Sequence, residues 1–138
     1  MKSSLLLYAI CLLHITAFTQ VKEASTQSAK LLTPVGAALS LSQLEHGKYS
    51  LNYLNGMGNK ADFRSILFKN KKEAKTFILC IDKAMKAKDG LSTMCNFTNY
   101  QIRLLTEMGG VFMIVAEVGK SQSTFRITKE NYDQVNVL

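Results

Sequence analysis

The chain has 138 residues, 47% of them hydrophobic, with 17 basic against 10 acidic side chains and a net charge of +7. Such a length sets one domain with a single core, and the basic excess bears on solubility and on attraction to anionic surfaces, not on fold. No cysteine pair or histidine cluster has metal-ligand spacing, and neither a Gly-x-Ser-x-Gly elbow nor a His-Glu-x-x-His stretch occurs, which removes the best-marked metal and hydrolase classes.

Residues 1–20, MKSSLLLYAICLLHITAFTQ, carry a short positive start at Lys2, an apolar run from Leu5 to Phe18, and small residues at Ala17 and Thr19 before Gln20. This pattern predicts a secretory signal peptide. It resembles the signal peptides of exported bacterial envelope proteins that have glutamine at the cut, a resemblance confined to these twenty residues. His14 is unusual within such a run, and the bulky Ile10 before Cys11 argues against a lipidation site. The alternative is an uncleaved N-terminal anchor. Cleavage after Gln20 leaves 118 residues with 16 basic side chains and a net charge of +6. No later stretch is apolar for the roughly 20 residues that a spanning helix needs, so a soluble secreted or periplasmic protein is expected.

Residues 21–38 read as a flexible leader, since Glu23 to Ala29 is small and polar without apolar periodicity. The α+β domain is expected over 39–138. Tyr49, Leu51 and Tyr53 alternate with polar residues, as do Phe63, Ser65 and Leu67 with Arg64, Ile66 and Phe68, and Asn55-Gly56-Met57-Gly58-Asn59 supplies turn chemistry between them. These make a hairpin. Asn70 then caps a helix in which Ala74, Phe77, Ile78, Ile81, Ala84 and Met85 form one apolar stripe, stopped by Asp89-Gly90. After a loop holding Cys95 come strands through Tyr100–Leu104, the near-continuous apolar run Val111–Val118, and Thr124–Thr128, with Gly109-Gly110 as a tight turn. Thr128 caps a short closing helix over Lys129–Val135. The expected fold is an antiparallel sheet of about five strands, in the order β-β-α-β-β-β-α, with one main amphipathic helix on one face.

Lys72, Lys75, Lys83 and Lys86 fall in one quadrant of the main helix, opposite the Phe77/Ile81 stripe, with Leu79 projecting from their midst. That quadrant is either a contact surface for an anionic partner, polysaccharide or lipid headgroups, or solvated filler. Only three arginines, the better forks for phosphate, occur in the chain. Residues 60–88 concentrate basic charge, yet no recognition helix or stacking platform accompanies it, so nucleic acid ranks last among partners.

In an exported chain a disulfide between Cys80 and Cys95 is the default expectation, and the alternative is a buried free thiol, since Cys80 falls at the border of the helix's apolar face. His46 is the sole histidine after residue 20 and reads as a turn residue. A thiol enzyme or hydrolase built on Cys80 and His46 is the runner-up function, and a carrier of an apolar ligand between helix and sheet is the third. Asn96-Phe97-Thr98 is a glycosylation sequon in a eukaryotic host. The aromatic residues Tyr49, Tyr53, Phe63 and Phe68 are expected in the core, failing which they mark a partner face. No cofactor is implied, and a non-catalytic interaction module is the leading reading.

Overall fold

The computed structural model describes residues 29–57 and 61–138. The expected signal peptide, residues 21–28 of the leader and part of the Asn55–Asn59 turn lie outside the described residues. Among the described residues, eight strands and two helices follow in the order four strands, helix, four strands, helix. Sheet A runs β1 (Lys30–Leu31), β2 (Leu39–Gln43), β3 (Tyr49–Leu54) and β4 (Phe63–Phe68), each antiparallel to its neighbour. Helix α1 (Lys71–Lys86) leads to sheet B, which runs β5 (Ser92–Phe97), β6 (Tyr100–Glu107), β7 (Gly110–Glu117) and β8 (Ser123–Ile127). Helix α2 (Lys129–Val135) closes the chain.

Among the described residues the architecture is therefore α+β with the main helix and the short closing helix expected, but the single sheet of about five strands is two sheets of four. The strands that sequence reading missed have physical reasons for being faint. β2 is Leu-Ser-Leu-Ser-Gln, three of its five residues polar, and β1 is a two-residue edge. β5 is an end strand whose outward positions Ser92, Met94 and Asn96 lack the β-branched residues that advertise a strand. Within the stretch read as a leader, Lys30–Leu31 pairs with β2, the Leu32 N–H donates to the Leu41 carbonyl at 2.9 Å, and the Leu41 N–H donates to Thr33 Oγ1 at 3.2 Å.

Period-two alternation decides which face of each sheet is inward. In sheet A, Leu39, Leu41, Tyr49, Leu51, Tyr53, Ile66 and Phe68 turn inward, with Leu41, Leu51 and Ile66 directly opposite one another. In sheet B the same face holds Cys95, Ile102, Leu104, Val111, Met113, Val115 and Ile127. Both inner faces and both helices contribute to one continuous core. The sheets are stitched together directly: Tyr53 Oη and Ser123 Oγ share a hydrogen bond of 2.7 Å, and the Gly56 N–H donates to the Thr124 carbonyl at 2.7 Å. The Leu67 N–H adds a bond to Tyr100 Oη at 3.3 Å.

α1 forms where its chemistry demands. Asn70, in extended backbone, accepts from the Glu73 N–H at 2.9 Å, and Glu73 Oε2 accepts from the Lys69 N–H at 2.8 Å. The carboxylate thus reaches one residue beyond the cap, a variant of the capping box. Ala74, Phe77, Ile78, Ile81 and Ala84 are buried, and Phe77 stacks with Phe68 and Phe97 at centroid distances of 5.6 and 5.9 Å. α2 carries a full capping box between Thr128 and Asn131.

The tight turn between β6 and β7 is centred on Met108-Gly109, not on Gly109-Gly110 as the sequence suggested. Glu107 pairs with Gly110, and Met108 and Gly109 have φ of 49° and 71°. Positive φ at both central positions is the demand of a type I′ turn. Gly110 has a separate reason: a Cβ there would lie 3.1 Å from the Ile127 carbonyl oxygen.

Candidate functional site

The exposed face of α1 is the most strongly charged feature built on a rigid element. Lys72, Lys75, Lys83 and Lys86 are all exposed along four turns, and Leu79 stands 61% exposed at their centre. Lys86 Nζ is 2.6 Å from Asp82 Oδ2, whose other oxygen accepts from Tyr132 Oη at 3.1 Å. The Lys86 hydrogen bond, joined by that of Tyr132, holds the Asp82 carboxyl below the usual carboxylate range. Among the described residues no carboxylate lies in ion-pair reach of Lys72, Lys75 or Lys83. Glu73, on the same helix, spends its carboxylate on the Lys69 N–H. Beside Lys75 lies a cleft of about 240 Å³ lined also by Ile78, Leu79, Asn136 and Leu138. The quadrant is thus a cationic ridge with an apolar notch along it, and three of its four ammonium groups lack an internal counterion among the described residues.

The border of α1 opposite Asp82 carries Cys80. Cys80 is half-buried, Cys95 is 5% exposed on the inner face of β5, and both are free thiols near enough for Cys80 to act on the Cys95 thiol. Burial, then the effect of Cys80, pushes the Cys95 thiol up to about 12. It is therefore protonated across the physiological range. The structure brings the two cysteines together as the sequence suggested, and holds them unbridged.

His46 is placed elsewhere. It sits exposed in the 3₁₀ turn Glu45–Gly47 with φ of 57°, and among the described residues no hydrogen bond joins it to Cys80. Clefts of about 380 and 540 Å³ flank the β5–β6 turn, and their carboxylates are engaged, Glu117 with Lys120 at 2.8 Å and Glu73 as above. No group of three or more His, Cys, Asp or Glu side chains among the described residues is arranged to hold a metal ion. Asn96 is exposed at the rim of these clefts, and Thr98 Oγ1 of the sequon accepts from Lys69 Nζ at 2.8 Å.

Of the hairpin aromatics, Tyr49, Tyr53 and Phe68 lie in the core as expected. Phe63 does not: it is 76% exposed, opposite Leu54 on the outer face of sheet A. Asn55 is the residue that sequence reading undervalued. Read as turn filler, it is buried. Its Oδ1 accepts from the Thr124 N–H at 2.9 Å and the Met57 N–H at 3.1 Å, while Nδ2 donates to Asp62 Oδ2 at 3.1 Å. Asp62 in turn accepts from Arg64 Nε at 2.7 Å, a hydrogen bond that, with that of Asn55, lowers its pKa. No signal short of the paired strands could have revealed that role.

Among the described residues no helix is long and apolar enough to cross a membrane. Comparison with protein-family models, curated proteins and solved structures finds no match to this chain.

Proposed function

We propose that the chain is an exported, non-catalytic module that binds an anionic surface through the outer face of α1. The single observation that carries this reading is the set Lys72, Lys75, Lys83 and Lys86 around exposed Leu79, three of the lysines without a carboxylate partner among the described residues. Lipid headgroups suit it better than polysaccharide. Lysine is a compact point charge on a long apolar stem, and the notch of Ile78, Leu79 and Leu138 offers apolar contact that a sugar chain does not use. That no hydrogen bond joins His46 to Cys80 among the described residues supports a binding role over the thiol-enzyme alternative.

Export rests on the N-terminal pattern of Lys2, the Leu5–Phe18 run and Ala17/Thr19. The test of the binding face is co-sedimentation with vesicles of phosphatidylglycerol and with neutral phosphatidylcholine vesicles. Each lysine near an anionic membrane contributes about 1 kcal/mol, so Lys75→Glu with Lys83→Glu should weaken binding by at least about 30-fold. Binding of the parent should also fall steeply with salt. Equal binding to neutral vesicles, or a double variant that binds as well as the parent, would remove the proposal; retention on acidic polysaccharide alone would transfer the face to the other anionic class.

A further inference from the structure

We propose that Cys80 and Cys95 form a reversible dithiol–disulfide couple that fastens α1 to the end strand β5, Cys80 exchanging with external disulfides and Cys95 closing the bridge. The proposal is independent of what α1 binds. Among the described residues β5 is the terminal strand of sheet B, paired on one side only, with β6. α1 packs against β4 and against β5, β6 and β7, and its Cys80 border meets the inward side chain of β5. Cys80 lies between the buried stripe and the lysine ridge, half in solvent, whereas Cys95 sits behind it opposite Ile102. The sulfurs are near neighbours on two elements that already touch, so bridging needs only their closer approach to about 2.05 Å.

The unequal burial sets the order of events. A small disulfide such as oxidised glutathione reaches Cys80 first. The Cys80 thiolate attacks one sulfur, a protein–glutathione bond forms, and one glutathione leaves as thiolate. The Cys95 thiol loses its proton, attacks Cys80 Sγ and expels the second glutathione. Two electrons and two protons pass from the protein dithiol to the reagent, which ends as two thiols. The charged or titratable groups acting on Cys95 are Cys80, which disfavours its thiolate, and Lys83, which favours it.

The experiment uses the full chain with Cys11→Ser, reduced, desalted and exposed to oxidised glutathione at neutral pH, followed by intact mass and thiol labelling after denaturation. The expected product is a monomer with no free thiol and no bound glutathione, whose melting midpoint rises and returns to its starting value on reduction. Adding Cys95→Ser should arrest the reaction with one glutathione on Cys80. Adding Cys80→Ser should leave Cys95 unmodified until the protein is unfolded. Two persistent thiols, a covalent dimer, an unresolved adduct on the chain that retains both cysteines, or an unchanged melting midpoint after bridging would each overturn the proposal.

Discussion

The two halves of the molecule repeat the same order of elements, yet they differ in the side chains of their outer faces and in the length of their helices. The outer face of sheet A sets Ser40, Ser42, Ser50, Asn52 and Ser65 beside the exposed Leu54, Phe63 and Leu67, with Asn52 Oδ1 accepting from both Ser50 and Ser65 at 2.8 and 2.7 Å. Sheet B turns out Met94, Leu105, Phe112 and Ile114 with Arg103 and Arg126, the Arg126 guanidinium 5.8 Å above the Phe112 ring. The helices differ likewise, 16 residues against 7. What binds the halves is an exchange. α1, which follows sheet A, lies mainly on β5, β6 and β7 of sheet B, while α2, which follows sheet B, packs on β2 as well as β8. Neither half can bury its apolar face without the other, so the repeat is one cooperative unit.

The largest effect should come from breaking that exchange on its stronger side. Phe77 is fully buried between Phe68 of the first half and Phe97 of the second. Phe77→Ala should cost about 3–5 kcal/mol, the usual range for an emptied aromatic core site. Val135, fully buried in α2, is the corresponding anchor on the weaker side. Val135→Ala removes two methyl groups and should cost about 2 kcal/mol. Denaturant unfolding followed by far-ultraviolet circular dichroism should show one transition in each variant, moved further by Phe77→Ala. Two resolved transitions in either would show that the halves fold separately.

Asn55 tests the junction from the side of the loops. Its side chain ties the β3–β4 connection to β8 through the Thr124 N–H, and Asn55→Ala would leave that N–H without its acceptor. The expected cost is about 1–3 kcal/mol, the penalty for a partly buried donor left unsatisfied. Asn55→Asp keeps the Oδ1 acceptor but sets a second carboxylate against Asp62, so it should recover only part of the loss. If both variants were as stable as the parent, the junction would rest on side-chain packing alone.

How much of this was legible in sequence follows from the same contrast. Alternation in the first half grouped Tyr49, Leu51 and Tyr53 on one face of β3 and Ile66 with Phe68 on one face of β4 without saying which face was buried, whereas the caps of α1 at Asn70 and of α2 at Thr128 were readable because capping is local chemistry. The run Val111–Val118 was not resolvable in that way. Its even positions Phe112 and Ile114 are apolar too, so alternation is silent about which side is buried. The division into two sheets was hidden because it depends on where α1 delivers the chain, a long-range outcome with no local mark. Of the candidate site, the lysine ridge was fully visible, since helical spacing fixes a face. That Lys86 is ion-paired, that Cys80 meets Cys95, and that Phe63 points outward required the tertiary structure.

The smallest effect concerns the way each half turns its hairpin. The first half joins β3 to β4 through the long connection that Asn55 anchors, whereas the second joins β6 to β7 in two residues. Met108 occupies the first of those two positions, 76% exposed and left-handed, a conformation that costs a side chain such as methionine roughly 1 kcal/mol and that asparagine tolerates well. Arg126 donates to the Met108 carbonyl at 3.1 Å, a backbone contact that substitution of the side chain leaves intact. Met108→Asn should therefore stabilise the protein by about 0.5–1 kcal/mol, raising its melting midpoint by a few degrees. Vesicle binding should stay constant, since the turn lies off the α1 ridge. Because the gain belongs to a turn inside one half, it should add in full to the loss from Asn55→Ala in the double variant. A gain that vanished in that combination would mean that the β6–β7 turn and the Asn55 junction are energetically coupled, and that the seam between the halves extends further into sheet B than its hydrogen bonds indicate.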